Sequence, residues 1–189
     1  MALRYTASGS NDRNDMMLMT NAVYSPLSGE VLPEHTIRLS CVLEWPAGAG
    51  ELRLASADPR VQPSFDYRYL EDPWDRQRMR EAVRLCLRLV EQQPYQDVIA
   101  GRIAPTDADL ASDEALDTWL LKTVGTARHI SGTCKMGPAS DPMAVVDQYG
   151  RVHGLEGLRV VDGSILPHVT RANTHATIIM AAERIAEWM

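Results

Sequence analysis

The segment from residue 129 to residue 180 constrains the fold of this 189-residue chain more than any other. It begins with a histidine on a glycine-rich loop, continues through the apolar stretch LRVVD, and ends in an apolar run that follows an Asn-Thr-His sequence. No other part of the sequence combines glycine, histidine and a strand-to-helix transition in this way. Ligands of α/β proteins often bind where a strand passes through a turn into a helix. We therefore interpret the segment as one wall of a site for a cofactor and a substrate.

The first two thirds of the chain predict an α+β fold, with a mostly antiparallel sheet and flanking helices. Residues 37–43 alternate apolar and polar side chains, which is typical of a half-buried strand. Further strands are predicted at residues 51–56 and 63–70, and the first of these is expected to form an antiparallel hairpin with residues 37–43. The apolar stretch 16–23 is predicted to be a strand or a buried connection.

Two helices are predicted downstream of these strands. Asp72 is a good N-cap for the first helix, and Pro73 suits its first position. Ser112 is predicted to cap the second helix, whose first turn is acidic. An apolar stripe at helical spacing runs along the first helix. Its arginines are expected to form a solvated polar face: Arg76, Arg78, Arg80, Arg84 and Arg88.

Charge and composition argue against several classes of protein. The net charge is −6 and no basic run is present, so nucleic-acid binding has no electrostatic support. No apolar run reaches the roughly 18–20 residues that a membrane span requires. The spacing of the histidines matches no standard zinc site, so no metal is predicted. Three widely spaced cysteines predict no disulfide framework and favour a reducing compartment, so we expect a cytoplasmic location.

His129 is the first candidate for chemistry in the segment 129–180. Gly132 and Gly137 allow the loop that carries it to turn sharply or to approach a ligand closely. An imidazole titrates near neutral pH, so a histidine on such a loop suits general acid–base catalysis. A histidine that is hydrogen-bonded in the core would give the same pattern, and the residues alone leave both alternatives open.

Asp162 and Gly163 follow a predicted buried strand over residues 158–161. A carboxylate followed by glycine at the end of a strand can bind a ribose-type hydroxyl and expose backbone N–H groups to phosphate oxygens. Asp-Gly is also a common turn pair, so a simple turn is the alternative interpretation.

The last helix is predicted over residues 176–188, with Thr174 or Asn173 as its cap. Its first two turns are apolar nearly all round, which predicts that they are buried. A buried helix start needs partners for its free N–H groups, and an anionic or electron-rich ring would provide them. Asn173 and His175 would then point into the same space; the alternative is that both simply cap the helix.

Together these segments resemble the glucose–methanol–choline (GMC) oxidoreductases, a family of FAD-dependent alcohol dehydrogenases and oxidases. The resemblance rests on HxxGTCKMG, on VVDxxxRVHGLEGLRVVDGSILP and on NTHATIIMAAERIA, which occur in this order. The upstream segment LRLASADPRVQPSFDYRYLEDPWD is similar to another motif of the family. The resemblance covers about residues 36–188 and corresponds to the family's C-terminal region.

The resemblance implies a division of the chain into three parts. Residues 1–35 are a leading segment, residues 36–128 form the substrate-binding sheet and helices, and residues 129–189 form the active-site loop with a strand and helix that complete the FAD-binding domain. The family's FAD-binding half begins with a GxGxxG turn, which occurs nowhere in these 189 residues. We therefore expect the chain to be part of a longer protein, to pair with its N-terminal FAD-binding half, and to be inactive alone.

The resemblance also implies roles for individual residues. His129 matches the active-site base, and Asn173 matches a second active-site position that is His or Asn in the family. Asp162 and Gly163 match a pair that contacts the flavin. The helix start that faces the flavin ring corresponds to His175, Ala176 and Thr177.

The reaction implied by the resemblance is oxidation of a small-molecule alcohol to an aldehyde or ketone with FAD as cofactor. Two alternatives remain: a hydroxynitrile lyase on the same scaffold, and a substrate-binding module without catalysis. His175 departs from the family pattern, since many members carry another residue there. A polar contact of His175 to substrate or flavin and a cap at the helix end therefore both stay open.

Overall fold

The structure is a computed structural model that describes residues 2–21 and 35–189. The chain divides into two compact units, Met1–Gly125 and Thr126–Met189. The functional division into a leading segment, a substrate-binding part and a flavin-facing part stays a prediction, and residues 22–34 of the leading segment lie outside the described residues. Among the helices that the structure describes, none is long and apolar enough to cross a membrane.

The first unit contains a three-stranded antiparallel sheet. Its strands are β1 (Ala2–Tyr5), β2 (Met16–Asn21) and β3 (Arg38–Leu43), in the spatial order β1-β2-β3. Leu18 of β2 lies opposite Cys41 of β3. The strand predicted from the apolar stretch at residue 16 is confirmed, and so is the antiparallel sheet of an α+β fold.

A second, two-stranded sheet corrects the predicted hairpin. Strands β4 (Glu51–Arg53) and β5 (Ser64–Asp66) pair with each other, so β4 does not pair with β3. The central strand β2, buried through its first three residues, pairs with β3 instead. Strand β5 is shorter than predicted, because Arg68 and Leu70 have φ angles of 47° and 59°, which interrupt an extended backbone.

The predicted helix caps are confirmed in the first unit. Trp74 N donates to Asp72 Oδ1 at 2.7 Å, and Ala115 N donates to Ser112 Oγ at 3.1 Å. These bonds satisfy N–H groups that the first helical turn leaves without intrahelical acceptors. The helices of the described residues are α1 (Pro73–Val90), α2 (Gln93–Gln96), α3 (Asp113–Thr123) and α4 (His175–Ala186).

The core of the first unit lies between the three-stranded sheet and helices α1 and α3. The apolar stripe of α1 faces the sheet, as its spacing predicts. Cys86 of this stripe is buried, and its sulfur lies 3.6 Å from the sulfur of Cys41 on β3; both cysteines are free thiols. The buried apolar residues of this core include Met16, Leu18, Met79, Ala82, Val83, Leu116 and Leu120.

Arg78 contradicts the prediction that the arginines of α1 form a solvated face. Arg84 and Arg88 are exposed and Arg76 and Arg80 are half-buried, whereas Arg78 is only 1% exposed. Its Nη1 donates to Asp15 Oδ2 and to Trp45 O, both at 2.9 Å, and its Nη2 donates to Asp75 at 2.5 Å. Carboxylates and a carbonyl accept from both terminal nitrogens of this buried guanidinium, whereas its Nε has no hydrogen-bond partner among the described residues.

The two carboxylates of this ion cluster are also held by the backbone. Asp15 accepts from Ala7 N at 2.9 Å, and Asp75 accepts from Ala47 N at 2.9 Å and Gly48 N at 3.0 Å. Burial raises the pKa of Asp15, but the hydrogen bonds from Ala7 and Arg78 outweigh it and hold this pKa below its usual value. Because the folded-state pKa is depressed, this stabilisation is present above the unfolded-state pKa and is lost as the pH falls through the folded-state pKa.

We predict that Arg78→Met destabilises the protein strongly, because it leaves two carboxylates buried without their counter-ion. Removing one partner of a buried ion cluster costs about 3–5 kcal/mol in the free energy of unfolding. The matched control is Arg88→Met on the exposed face of the same helix, which should change this free energy by about 0.5 kcal/mol or less. Urea unfolding followed by circular dichroism measures both, and equal midpoints for the two variants would contradict the prediction.

Candidate active site

The second unit is built mainly from loops around a small core and helix α4. The core consists of Val146, Ile165 and Ile185. The strand predicted over residues 158–161 is wrong as an extended strand, since it forms a single β-bridge, between Arg159 and Arg151. Its prediction as buried is also wrong at Leu158, which is 49% exposed. Within the described residues, this segment lacks the neighbouring strands that would turn its apolar pattern into a buried sheet.

Backbone hydrogen bonds fix the glycine-rich loop against the turn that follows residue 161. Cys134 N donates to Ser164 O at 3.0 Å, and Met136 N donates to Ile165 O at 2.9 Å. Gly132, at φ 82°, adopts the left-handed conformation that favours glycine. The loop that carries His129 is thereby joined to the segment that leads into α4.

His129 and Asn173 lie side by side, although 44 positions separate them in the sequence. Asn173 Nδ2 lies 3.2 Å from His129 Nε2. The other ring nitrogen, Nδ1, lies 3.0 Å from Thr174 Oγ1. The imidazole is half-buried and Asn173 is exposed, so a small molecule can reach the pair.

Asp162 begins a short 3-10 helix, Gly163–Ile165, and its Oδ1 accepts from Ser164 N at 2.8 Å. The Asp-Gly pair therefore forms a turn, as the simpler interpretation predicted, while the carboxylate remains exposed. A Cβ on Gly163 would lie 2.9 Å from Ile178 Cδ1, so glycine allows the close packing of this turn on α4. Contact of Asp162 and Gly163 with a flavin stays a prediction.

Helix α4 begins without a side-chain cap. Thr174 occupies the N-cap position, but its side chain makes no capping bond, and its oxygen lies against His129 instead. His175 is the first helical residue and is exposed, so the alternative that Asn173 and His175 both cap the helix is wrong. The N–H groups of His175, Ala176 and Thr177 belong to the first turn, which has no intrahelical acceptors.

No residue in the first two turns of α4 is buried, which contradicts their predicted burial. Ile179 is 48% exposed and Met180 is 64% exposed, whereas Ile185 near the other end is buried. The apolar surface of α4 is wider than the part of the second unit that packs against it. The prediction rested on the apolar sequence of these turns, whereas the described residues of the second unit cover this helix on one side only.

Comparison with known proteins assigns the chain to a family. Residues 46–182 match the model for GMC oxidoreductase. The chain belongs to the GMC oxidoreductase family. It is 44% identical over 138 residues to the oxygen-dependent choline dehydrogenase 1 of Chromohalobacter salexigens, covering 73% of this chain and 24% of that protein. The corresponding enzyme of Paraburkholderia phytofirmans is 46% identical over the same coverage.

The GMC chain spans about a quarter of the length of these curated relatives. Among solved structures, it is similar to a fungal aryl-alcohol oxidase, with a TM-score of 0.72, 30% identity, and coverage of 94% of this chain and 28% of that one. Pyridoxine 4-oxidase from Mesorbium loti shares the fold, with a TM-score of 0.83 at 24% identity, and coverage of 99% and 37%. The α+β fold predicted for the chain is confirmed by this similarity.

Among the described residues that contact His129, Thr174 was not predicted from the sequence to take part in chemistry. The sequence offered it as a helix cap, because threonine before an apolar helical run is typical of an N-cap. Its contact with His129 joins positions 45 apart, and no local pattern signals such a contact.

We predict that Gly150→Ala destabilises the second unit more than Gly154→Ala does. Both glycines have positive φ, 70° and 76°, so either alanine is strained by about 1–2 kcal/mol. Only at Gly150 would the new Cβ also lie 2.8 Å from Val160 O and 3.1 Å from Val161 Cγ2. Relieving that overlap should cost about 1–3 kcal/mol more. Urea unfolding compares the two variants, and a smaller loss at Gly150 would contradict the packing of residues 160–161 on this turn.

Proposed function

We propose that this chain is the C-terminal part of an FAD-dependent oxidoreductase that oxidises a small-molecule alcohol to an aldehyde or ketone. The observation that carries the proposal is the 3.2 Å contact between His129 Nε2 and Asn173 Nδ2. Family membership supports the class of reaction. The names of two relatives, a choline dehydrogenase and an aryl-alcohol oxidase, support an alcohol as the substrate.

His129 and Asn173 together provide a hydrogen-bond acceptor and a hydrogen-bond donor for a substrate hydroxyl group. With Asn173 Nδ2 donating, His129 Nε2 offers a lone pair, and a substrate hydroxyl can replace this bond with two of its own. Its proton then faces Nε2, and its oxygen accepts from Asn173 Nδ2. His129 acts as the general base that takes the hydroxyl proton, while Asn173 holds the oxygen in place.

The residues present fit the flavin-ring end of FAD. FAD, when bound, accepts the hydride that leaves the carbinol carbon. Asp162 and Gly163 would hold it at the turn, and the first-turn N–H groups of His175, Ala176 and Thr177 would stabilise negative charge on the ring. These N–H groups suit that role because no side chain caps the helix.

The remainder of FAD needs a second part of the protein. The 189 residues contain no GxGxxG turn for the pyrophosphate. We propose that an N-terminal FAD-binding half of the same protein is the partner that provides it. We also propose a cytoplasmic location, which the three free thiols of Cys41, Cys86 and Cys134 support.

We predict that His129→Ala in the flavin-loaded protein lowers kcat for alcohol oxidation by about two orders of magnitude or more, since the general base is lost. Flavin content, read from visible absorbance, should stay unchanged. The control is His168→Ala, which removes an exposed imidazole outside the proposed pair. Turnover at the level of the control would sink the assignment, and cleavage of a hydroxynitrile without flavin bleaching would indicate the lyase instead.

The 189-residue chain alone is expected to purify without a yellow chromophore, because it lacks the pyrophosphate-binding turn. An absorbance scan from the near ultraviolet to the visible measures this directly. Adding the FAD-binding half should restore both the flavin bands and activity. Stoichiometric flavin on the chain alone would contradict the proposed division of the FAD site.

A further inference from the structure

We propose that Thr174 is a positioning residue of this site: its side-chain oxygen accepts the Nδ1 proton of His129 and so directs the lone pair at Nε2 towards the substrate. The inference rests on the proposed function for the role of His129. The observation that carries it comes from the structure: Thr174 Oγ1 lies 3.0 Å from His129 Nδ1.

The side chain of Thr174 contacts His129 and makes no capping hydrogen bond to its own helix. Threonine at an N-cap position usually accepts a hydrogen bond from its own helix. Here the N-cap threonine makes no such bond, and the residue is only 5% exposed. A buried hydroxyl needs a partner, and its partner in this structure is the imidazole of His129.

With the Asn173 amide as the structure places it, the two partners of the ring fit one protonation state. A neutral imidazole has one N–H donor and one acceptor nitrogen. Because Asn173 Nδ2 donates to Nε2, the proton lies on Nδ1, and Nδ1 donates to Thr174 Oγ1. The opposite state would need the amide turned, so that its oxygen faces a protonated Nε2, with the Thr174 hydroxyl donating to Nδ1. Ring-nitrogen spectra separate the two states.

The same contact serves the ring after it takes a proton from the substrate. Both nitrogens are then donors, and Nδ1 still needs an acceptor. Thr174 Oγ1 accepts from Nδ1 in the neutral and in the charged ring, so no heavy atom has to move during proton transfer. Fixing the tautomer of a catalytic histidine through its far nitrogen is a general requirement of bases of this kind.

Two substitutions distinguish the effect of the Thr174 side-chain oxygen from the effect of the side-chain volume. Thr174→Val keeps the volume and removes the oxygen, whereas Thr174→Ser keeps the oxygen and removes a methyl group. Nitrogen-15 spectra of the histidine ring on the 189-residue chain report which nitrogen carries the proton. We expect Nδ1 to be protonated in the wild type and in Thr174→Ser, and the proton to move towards Nε2 in Thr174→Val.

Kinetics of the flavin-loaded protein give the second readout. We expect Thr174→Val to lower kcat at least about tenfold with KM within about twofold, and Thr174→Ser to restore kcat to within about threefold of the wild type. If Thr174→Val fails to fold, Thr174→Ala takes its place, because it also lacks the oxygen. A loss of folding alone would depress both oxygen-free and oxygen-bearing variants.

The inference is overturned if Thr174→Val keeps the wild-type ring protonation, or if Thr174→Ser loses as much kcat as Thr174→Val does. These outcomes differ from a failure of the proposed function. If His129→Ala keeps full turnover, the role of the base is wrong, and with it the catalytic role given to Thr174. If His129→Ala is inactive and Thr174→Val is not, only the role of Thr174 is wrong.

Discussion

Two backbone hydrogen bonds hold the candidate site together. They run from Cys134 N to Ser164 O and from Met136 N to Ile165 O, and they join the glycine-rich loop to the turn before α4. His129 lies upstream of one end of this junction and Asn173 lies downstream of the other, so a short β-like contact places two distant side chains together. Because the junction uses main-chain atoms, many side chains can change around it without moving the pair.

The first unit depends on a different kind of constraint. Arg78 is a buried cation between Asp15 and Asp75, and the backbone N–H groups of Ala7, Ala47 and Gly48 complete the cluster. This cluster ties helix α1 to the loops that follow β1 and β3, which lie at the same end of the sheet. A hydrophobic contact would tolerate small shifts, whereas charge-assisted hydrogen bonds require fixed distances and angles. Main-chain hydrogen bonds thus hold the loops of the second unit together, and ion pairs hold part of the first unit together.

Local patterns predicted local structure well and tertiary partners poorly. The caps at Asp72 and Ser112 and the strand at residues 37–43 follow from side chains within a few positions, and the structure contains all of them. Strand pairing depends on which neighbouring strand offers a buried apolar surface. Strand β3 therefore pairs with β2, whereas the expected hairpin would have paired it with β4. The burial of Arg78 could not be predicted from neighbouring positions, because its partner Asp15 lies 63 positions away. At the site, the spacing of His129 and Asn173 is meaningful only through the resemblance, and the contact of Thr174 has no sequence signature.

Three departures from an ordinary domain coincide in residues 158–180. The apolar segment at 158–161 forms one bridge, α4 begins without a side-chain cap, and Ile179 and Met180 are exposed. The segment at 158–161 would need a neighbouring strand, and the start of α4 would need a negative group. The exposed side chains of α4 would need an apolar surface to cover them. A domain that folded only for itself would have no reason to leave all three in one place. A flavin and the FAD-binding half proposed as the partner would meet them together, because a ring at the helix start must be covered on its other side. The exposure of α4 and of residue 158, which contradicts the predicted burial, would then have one cause. With the proposed half present, the apolar residues of this segment would be buried against it.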